Sequence, residues 1–388
     1  MNNFTYCNPT KLVFGRGVEN EIGGHLARLP EAPKKVLIVY GGGSAVKSGV
    51  LDRVSASCLE AGIEYVVKGG VQPNPTIEFV RECIDTARAE AIEAVVAVGG
   101  GSVIDTAKTV AVGFAYEGDP WDFFTGAAAI ESALPVATVL TIPAAGSEQS
   151  IRAVITNGDV KTGIGNDFVR PRVSCVNPEL FFTLPQKQVS AGVIDMMSHI
   201  MERYFTNTSA VDYTSAQAEA ALRVIMENGL KLLENHQDYD AWCQVGLAGS
   251  FAHNGYFGMG HQEDWACHAI EHALSGWRTD IIHGEGLAVV TPAWMRYVWS
   301  SNPERFVRFA KNVFDVPDQE NDEATINLMI AKFSLFLQRM LLPTRLSELT
   351  NVEVPIDEVA ALATARGPVG NLRKLSTEAV RSILTSAL

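Results

Sequence analysis

The sequence predicts an α/β domain built on a doubly wound parallel sheet over residues 1–178, followed by an all-helical domain over residues 179–388. Three observations carry this. Short apolar runs alternate with helical stretches as far as residue 180, the pattern of a parallel sheet covered on both faces. Two of those runs end in the same four residues, Gly-Gly-Gly-Ser. From Thr183 onward the strand signal stops and apolar residues recur with helical period.

In chain order, residues 4–14 alternate loosely and predict a lead-in strand or hairpin, followed by a helix from Glu19 to Leu29. Val36–Tyr40 is a continuous apolar run, hence a buried parallel strand, and it delivers the chain to Gly41, Gly42, Gly43 and Ser44. A helix over Leu51–Ala61, a strand over Glu64–Lys68 and the turn PNPT at 73–76 lead into a helix over Ile77–Ala89. The pattern repeats at Ala94–Val98, which runs into Gly99, Gly100, Gly101 and Ser102, where a helix opens. The strand VATVLTIP leads to AAGSEQS at 144–150, and VSCVNPEL at 173–180 is the last strand of the layer. Thr183 stands as a helix cap with Gln186 three residues on and Pro185 in the first turn. Helices are then predicted at 185–205, 211–234, 240–255, 263–275, 283–299, 303–312, 321–341, 355–364 and 375–387, with no internal repeat and no low-complexity segment.

The first of these helices carries Asp195 and His199, four residues apart and so on one face. His268 and His272 repeat that step on a later helix, which Gly276 is expected to end, and His283 follows a short turn. Taken singly, a histidine on an apolar helix is ordinarily a hydrogen-bonded core residue. The conjunction reads differently, because Asp195 sits among Ile194, Met196 and Met197, and a buried carboxylate is normally paired or bound to metal. The most economical ligand set is Asp195, His199, His268 and His283: three neutral imidazoles and one carboxylate around a divalent ion, with a position open to a substrate oxygen. His272, one turn beyond His268, is then near the metal but free. Such donors suit Fe2+ and Zn2+ alike.

The charge balance, 44 acidic against 31 basic residues for a formal −13, comes without any Lys/Arg cluster, which argues against nucleic acid or anionic membrane as partner. The most apolar run, Ala133–Gly146, is too short and proline-broken to span a bilayer, and the N-terminus lacks the features of a signal peptide. The six cysteines show no C-x-x-C spacing, which suits a reducing compartment, and none is assigned to the metal. A cytoplasmic enzyme is expected.

The glycine loops extend the reading to a second ligand. Gly99–Ser102 leaves successive backbone N–H groups unshielded at a helix N-terminus, where the dipole favours an anion, so a pyrophosphate is the natural guest. Asp105 and Lys108 follow in the first two turns. Neither loop fits G-x-G-x-x-G, since Val46 and Ile104 occupy the last position. NAD-selective sites usually place a carboxylate against the ribose 2′-hydroxyl. Here the first strand ends instead in Gly41–Ser44 with Lys47 close by, an open and mildly basic end that suits a 2′-phosphate.

With loops and metal set in view, the whole chain resembles the iron-containing alcohol dehydrogenases, specifically the branch of NADPH-dependent butanol dehydrogenases and broad-range aldehyde reductases. The resemblance rests on YGGGSAVKSGVLDRV at 40–54, QPNPT at 72–76, GGGSVIDTAK at 99–108, AAGSEQS at 144–150, GVIDMMSHIMERYF at 192–205, and DWACHAIEHALSG with HGEGLAVVTPAW within 264–294. It implies a dehydroquinate-synthase-like sheet domain that binds NADP(H), and a helical domain holding the metal at Asp195, His199, His268 and His283. It further implies pyrophosphate on Gly99–Ser102 beside Asp105, adenosine near Gly41–Lys47, and further cofactor contacts at Asn74, Thr141 and Lys161. His272 is then a candidate proton relay, the substrates are small primary alcohols of butanol type and their aldehydes, and the molecule is a homodimer joined through its N-terminal strands. Two departures from the family pattern stand out: Ala145 replaces the usual Thr, and the interval from His268 to His283 is one residue longer, with Trp277, Arg278 and Thr279 in the turn.

On this reading an aldehyde carbonyl is polarised by the ion as Lewis acid and takes hydride from the nicotinamide. Trp121, Phe124 and Trp265 are either pocket-lining or ordinary core. The rival within the architecture is a lyase resembling dehydroquinate synthase, which needs basic residues for a polyanionic substrate; the metal-bearing helices offer chiefly Arg203 and Arg278. A non-catalytic scaffold that has kept the fold is the rival from another class, and the intact ligand set argues against it.

Overall fold

In the computed structural model, which describes residues 1–388, six strands form one parallel sheet in the order β1-β8-β5-β4-β2-β3. They are β1 (Lys11–Phe14), β2 (Lys35–Tyr40), β3 (Glu64–Gly69), β4 (Ala94–Gly99), β5 (Val136–Leu140) and β8 (Val173–Val176), while β6 (Arg152–Asn157) and β7 (Val160–Gly165) make a separate antiparallel hairpin. The central strands are apolar from end to end because both faces are covered. Every residue of β4 and β5 is buried, whereas none of the edge strand β3 is. Helices α1 (Ile22–Leu26), α2 (Ser44–Lys47), α3 (Val50–Glu60), α4 (Ile77–Ala89), α5 (Gly101–Phe114) and α6 (Asp122–Thr125) complete this layer. On one face Ile22, Leu26, Val54 and Cys58 pack on Val36, Ile38, Val96, Val98, Val139 and Cys175.

Strand order fixes where a ligand goes. From β2 the chain moves outward to β3, then returns to the other side of β2 with β4 and proceeds through β5. The direction reverses between β2 and β4, and open α/β sheets take their ligands in the crevice beyond the carboxyl ends of the strands at such a reversal.

The second unit is helical: α7 (Gln186–Tyr204), α8 (Asp212–Glu234), α9 (Tyr239–Ala252), α10 (Ala266–Trp277), α11 (His283–Val298), α12 (Pro303–Phe314), α13 (Asp322–Arg339), α14 (Leu346–Leu349), α15 (Ile356–Ala363) and α16 (Thr377–Thr385). From Val189 to Tyr204 every residue of α7 is buried, so the helix is the axis around which the others pack. Side chains of Asp238, Asn302, Asn321 and Ser376 accept from the backbone N–H groups of Ala241, Arg305, Ala324 and Ala379, capping α9, α12, α13 and α16. Beyond α7, Phe205 stacks on Phe306 at 4.3 Å between ring centroids, with Trp294 and Phe309 around it. No helix is long and apolar enough to cross a membrane.

Several local expectations are corrected. The chain divides into compact units at Leu184/Pro185 rather than 178/179, because the turn over Pro178–Phe181 stays with the sheet: Asn177 Nδ2 donates to Glu19 at 2.9 Å and Arg16 pairs with Glu179. Met1–Tyr6 belongs to the helical unit, where Asn2 N donates to Gly260 O at 2.9 Å, and only Lys11–Phe14 of the expected lead-in is a strand. The helix expected over 19–29 is a short turn at Val18–Glu21 followed by α1. Thr183 caps nothing; Pro185 occupies the N-cap of α7. Gly276 does not end its helix but lies buried inside α10, which closes at Trp277 with Arg278 extended. The hairpin β6–β7 was not foreseen, although Asn157-Gly158-Asp159 is a turn signal between short alternating runs.

Candidate metal centre and dinucleotide loops

Three helices converge on Asp195. The one-turn step along α7 sets His199 Nδ1 3.0 Å from Asp195 Oδ1, α10 brings His268 Nε2 to 3.8 Å from the same oxygen, and the first residue of α11 brings His283 Nε2 to 3.7 Å. Ligand atoms on a tetrahedral ion with ~2.1 Å bonds stand about 3.4 Å apart, so the two Nε2 separations, 3.8 and 3.7 Å, match a site that needs little adjustment to close on one cation. Asp195 Oδ1 and His268 Nε2 are buried without any hydrogen-bond partner. His199 Nδ1, though close to that oxygen, is engaged by the main-chain oxygen of Asp195 at 3.0 Å. Orphaned buried atoms of this kind are costly unless something else satisfies them, and a cation does so for all of them at once. The longer interval before His283 does not displace it; the extra turn is clamped by Arg278, which donates to Asp280 at 2.7 and 3.1 Å.

Two acidic residues that the sequence reading passed over complete the cluster. Glu202 on α7 accepts from His268 Nδ1, and from the backbone N–H groups of Cys267 at 2.6 Å and His268 at 3.3 Å in the first turn of α10. Glu271 on α10 accepts from His283 Nδ1. Their signal was positional: Glu202 lies seven residues beyond Asp195 and Glu271 three beyond His268, both on the ligand-bearing face. The glycines beside His283 have separate reasons. A Cβ at Gly284 would stand 2.2 Å from Ala191 O, so α11 approaches α7 only with glycine there, and a Cβ at Gly286 would stand 2.8 Å from Glu271 Cγ.

His272 lies beside the set, its ring 5.5 Å from His283 and 6.1 Å from His268 between centroids, and it is half-buried. With Glu271 and His283 it forms a second group whose ligand atoms lie within 4.8 Å of one another. Trp265, in a left-handed conformation at φ +68°, spreads its ring against His199 and His268 and under the Arg203 guanidinium, 4.5 Å away, walling off one side. Trp121 and Phe124 instead stack on each other at 5.1 Å in the sheet unit.

The pocket is rich in buried negative charge. Asp195, Glu202 and Glu271 are all at least 94 % buried, at 6, 2 and 0 % exposure. The nearby buried cation, Arg203, is already taken by Glu263 at 3.0 Å. Burial opposes ionisation of Asp195, but the imidazoles of His199 and His283 outweigh it and hold the carboxyl well below the usual range. His199 is pushed down by burial and then by His268. For His268 burial also works downward, yet the charge of Glu202 prevails and raises it to about 9. With no cation bound, a proton on Nε2 supplies the positive charge that the surrounding carboxylates call for, and a metal ion takes its place when it binds.

In the sheet unit the two glycine loops leave the sheet side by side, because β2 and β4 pair in register with Tyr40 opposite Val98. Gly99 and Gly100 are needed for packing, since a Cβ would stand 2.4 Å from Val103 Cγ2 and 3.0 Å from Ile142 Cβ respectively. At Gly101 a Cβ would meet nothing within 4 Å. The amides of Gly101 and Ser102 precede the first intrahelical bonds, which run from Val103 and Ile104 to Gly100 O, so they are aimed out of the helix into open space, as a phosphate requires. Gly42, Gly43, Ser44 and Lys47 are exposed and Gly41 half-buried. Thr141 N donates to Gly99 O at 3.0 Å, which sets Thr141 against the second loop. Asn74 is half-buried at φ +55° in the turn after β3, and Lys161 lies half-buried on β7.

Asp105 is turned inward: it accepts from Ser147 Oγ at 2.6 Å and Val154 N at 3.0 Å. Fully buried Lys108 donates to the main-chain oxygens of Ser147, Ser150 and Arg152 at 2.7, 3.0 and 2.7 Å. Burial lowers this lysine to about 8 against the opposing charge of Asp105. The pair therefore moors the segment 147–154 to α5.

The two units match two models of one family. A family model described as "Iron-containing alcohol dehydrogenase" matches residues 9–178, and one described as "Fe-containing alcohol dehydrogenase family, C-terminal" matches residues 189–388. The chain is 40 % identical to a probable NADH-dependent butanol dehydrogenase 1 of Bacillus subtilis, over 100 % of each chain. It is 35 % identical to the NADPH-dependent aldehyde reductase of Escherichia coli, over 90 % of this chain and 89 % of that one. Among solved structures, the NADH-dependent butanol dehydrogenase A of Thermotoga maritima superposes with a TM-score of 0.95 at 41 % identity, covering 100 % of this chain and 99 % of that one.

Proposed function

Since this chain belongs to the iron-containing alcohol dehydrogenase family, we propose that it interconverts small primary alcohols, butanol-like in size, and their aldehydes by hydride transfer, with NADP(H) as cofactor and one divalent ion, Fe2+ or Zn2+, held by Asp195, His199, His268 and His283. The observation that carries the reading is the set itself: three imidazoles around Asp195 Oδ1, with Asp195 Oδ1 and His268 Nε2 orphaned, beside the buried carboxylates of Glu202 and Glu271. When bound, the ion supplies Lewis acidity to a carbonyl oxygen and the dinucleotide supplies the hydride.

The chain's own residues do the rest. The amides of Gly101 and Ser102 at the start of α5 bind the pyrophosphate, and Asp105 contributes by mooring Ser147 and Val154 rather than by touching the cofactor. Asn74, Thr141 and Lys161 flank the dinucleotide. The left-handed Trp265 excludes water from the imidazoles of His199 and His268. His272, half-buried and next to His283, carries the proton to and from the substrate oxygen. Relatives bear both NADH and NADPH in their names. The preference for NADP(H) rests on Gly41, which puts no carboxylate where a 2′-phosphate must sit, and on the exposed Lys47 six residues on at the end of α2. The edge strand β1, paired only with β8, is the surface we assign to a homodimer.

The lyase reading is not favoured: Arg203 is committed to Glu263 and to the main-chain oxygens of His199 and Ala252, and Arg278 to Asp280, so neither arginine is spare for a polyanion. The test is a panel of aldehydes, from acetaldehyde to hexanal, scored by NADPH and NADH consumption with metal-loaded protein. Turnover of butanal is expected. No oxidation of either cofactor with any aldehyde contradicts the proposal and favours a non-catalytic scaffold.

A further inference from the structure

We propose that Glu202 and Glu271 are positioning residues that fix the tautomer and the aim of two metal ligands, each holding the Nδ1–H of one imidazole so that its Nε2 lone pair points at the cation. The inference rests on the metal reading of Asp195, His199, His268 and His283, and concerns how the fold pre-forms that set.

The arrangement is a ladder in which each helix carries the acid for the next helix's ligand. Helix α7 bears Asp195, His199 and Glu202, and Glu202 serves His268 on α10; α10 bears Glu271, which serves His283 on α11. An ionised carboxylate only accepts, so the proton of the neutral ring must lie on Nδ1, leaving Nε2 bare. Both Nε2 atoms are the ones near Asp195, at 3.8 and 3.7 Å from Oδ1. Glu202 has no freedom to do otherwise, because its Oε1 is pinned by the N–H groups of Cys267 and His268 at the start of α10, where the helix dipole also favours its charge. Only Oε2 faces the ring. Glu271 is fully buried, and its room beside α11 exists because residue 286 is glycine. His199 is held at Nδ1 by the main-chain oxygen of Asp195, an acceptor that no substitution removes, so the inference is confined to His268 and His283. Outer partners of this kind typically contribute 10- to 100-fold in metal affinity.

Glu202→Gln is the discriminating variant. It keeps size and shape, but with its oxygen retained by the two α10 amides its NH2 group faces Nδ1 and donates, which drives the ring proton to Nε2 and blocks ligation. The measurement is the Kd of the apo protein for Zn2+ by competition with a chromogenic chelator, alongside the absorption spectrum of the Co2+-loaded form, NADPH binding and the apo Tm. We expect E202Q to bind Zn2+ about 10 to 100 times more weakly, with an altered Co2+ spectrum and unchanged NADPH affinity. Glu271→Met reads the same loss at His283 and carries the test if E202Q does not fold. Folded variants that hold Zn2+ within twofold of wild type overturn the proposal, as does a lowered Tm with unchanged Kd, which marks a purely structural role. If the wild type itself takes up no Zn2+, the metal reading fails and this inference with it; if the wild type binds and the variants bind equally, the inference alone fails.

Discussion

Replacing Gly41 by Asp should turn the enzyme toward NADH, and the structure gives the size of the effect. A Cβ at Gly41 would stand 3.5 Å from Val71 O and 3.6 Å from Val103 Cγ2, ordinary contacts, and its φ is not in the left-handed region, so the substitution fits without disturbing β2. The new carboxylate would face a 2′-phosphate bearing about −1.5 to −2 charges. At about 5 Å each charge pair repels by ~0.8 kcal/mol at the dielectric of water and ~3 kcal/mol at a value of 20. Gly42 and Gly43 are exposed, which places the site near the watery limit. The sum is then on the order of 1.5 kcal/mol, roughly a tenfold loss in kcat/KM with NADPH, while the ribose hydroxyls of NADH gain an acceptor. Lys47→Ala should weaken NADPH alone. The assay compares kcat/KM for both cofactors in wild type, G41D and K47A. A wild type that uses NADH as well as NADPH, or a ratio unmoved by G41D, refutes the placement of the adenosine at this loop.

Three further outcomes are expected. His272→Ala should retain close to stoichiometric metal yet lose activity by about 10² to 10⁴, the range for removing an acid–base group; loss of metal in that variant would make His272 a ligand. Lys108→Met leaves Asp105 buried without its counter-charge and frees the 147–154 segment, so urea unfolding should show a loss of about 3–5 kcal/mol, and a cost below ~1 kcal/mol would contradict the mooring role. Asp264, buried beside Glu202, is raised from 3.8 to about 6 by burial first and by that neighbour second. Its folded pKa exceeds its unfolded one, so the native state holds the extra proton between pH 4 and 6, and stability contributed by the protonated form is lost as pH rises through about 6, by an amount on the order of 3 kcal/mol. Urea midpoints of the apo protein across that window should fall with rising pH in wild type and flatten in Asp264→Asn; parallel profiles would contradict the assignment.

The parts that were legible in the sequence are those where chemistry forces a spacing. Buried parallel strands must be apolar throughout, which exposed β2 and β4, and the bare turns Gly41–Ser44 and Gly99–Ser102 stand out where those strands end. Asp195 with His199 shows one helical turn, and the structure brings His268 and His283 to the same oxygen. What stayed hidden depends on partners distant in sequence. Glu202 and Glu271 look like ordinary surface acids until α10 and α11 are laid beside their neighbours. Asp105 resembled a cofactor group because it follows the glycine loop, whereas its head turns inward to Ser147 and Val154, as that of Lys108 turns to Ser147. Gly276 looks like a helix stop, but burial inside α10 overrides local preference, and the β6–β7 hairpin was masked by Gly163 and Gly165 in its second strand.

The central claim is that Asp195 and three imidazoles hold a divalent ion on which hydride transfer depends, in a unit separate from the one that binds the dinucleotide. It is tested most directly by metal analysis of protein purified without air, on wild type and Asp195→Ala, with NADPH binding and butanal reduction measured on the same samples. The account predicts about one equivalent of iron or zinc and turnover in wild type, and neither in the variant, whose NADPH affinity is unchanged. A variant that keeps its metal and loses NADPH binding, or one that reduces butanal without metal, contradicts it.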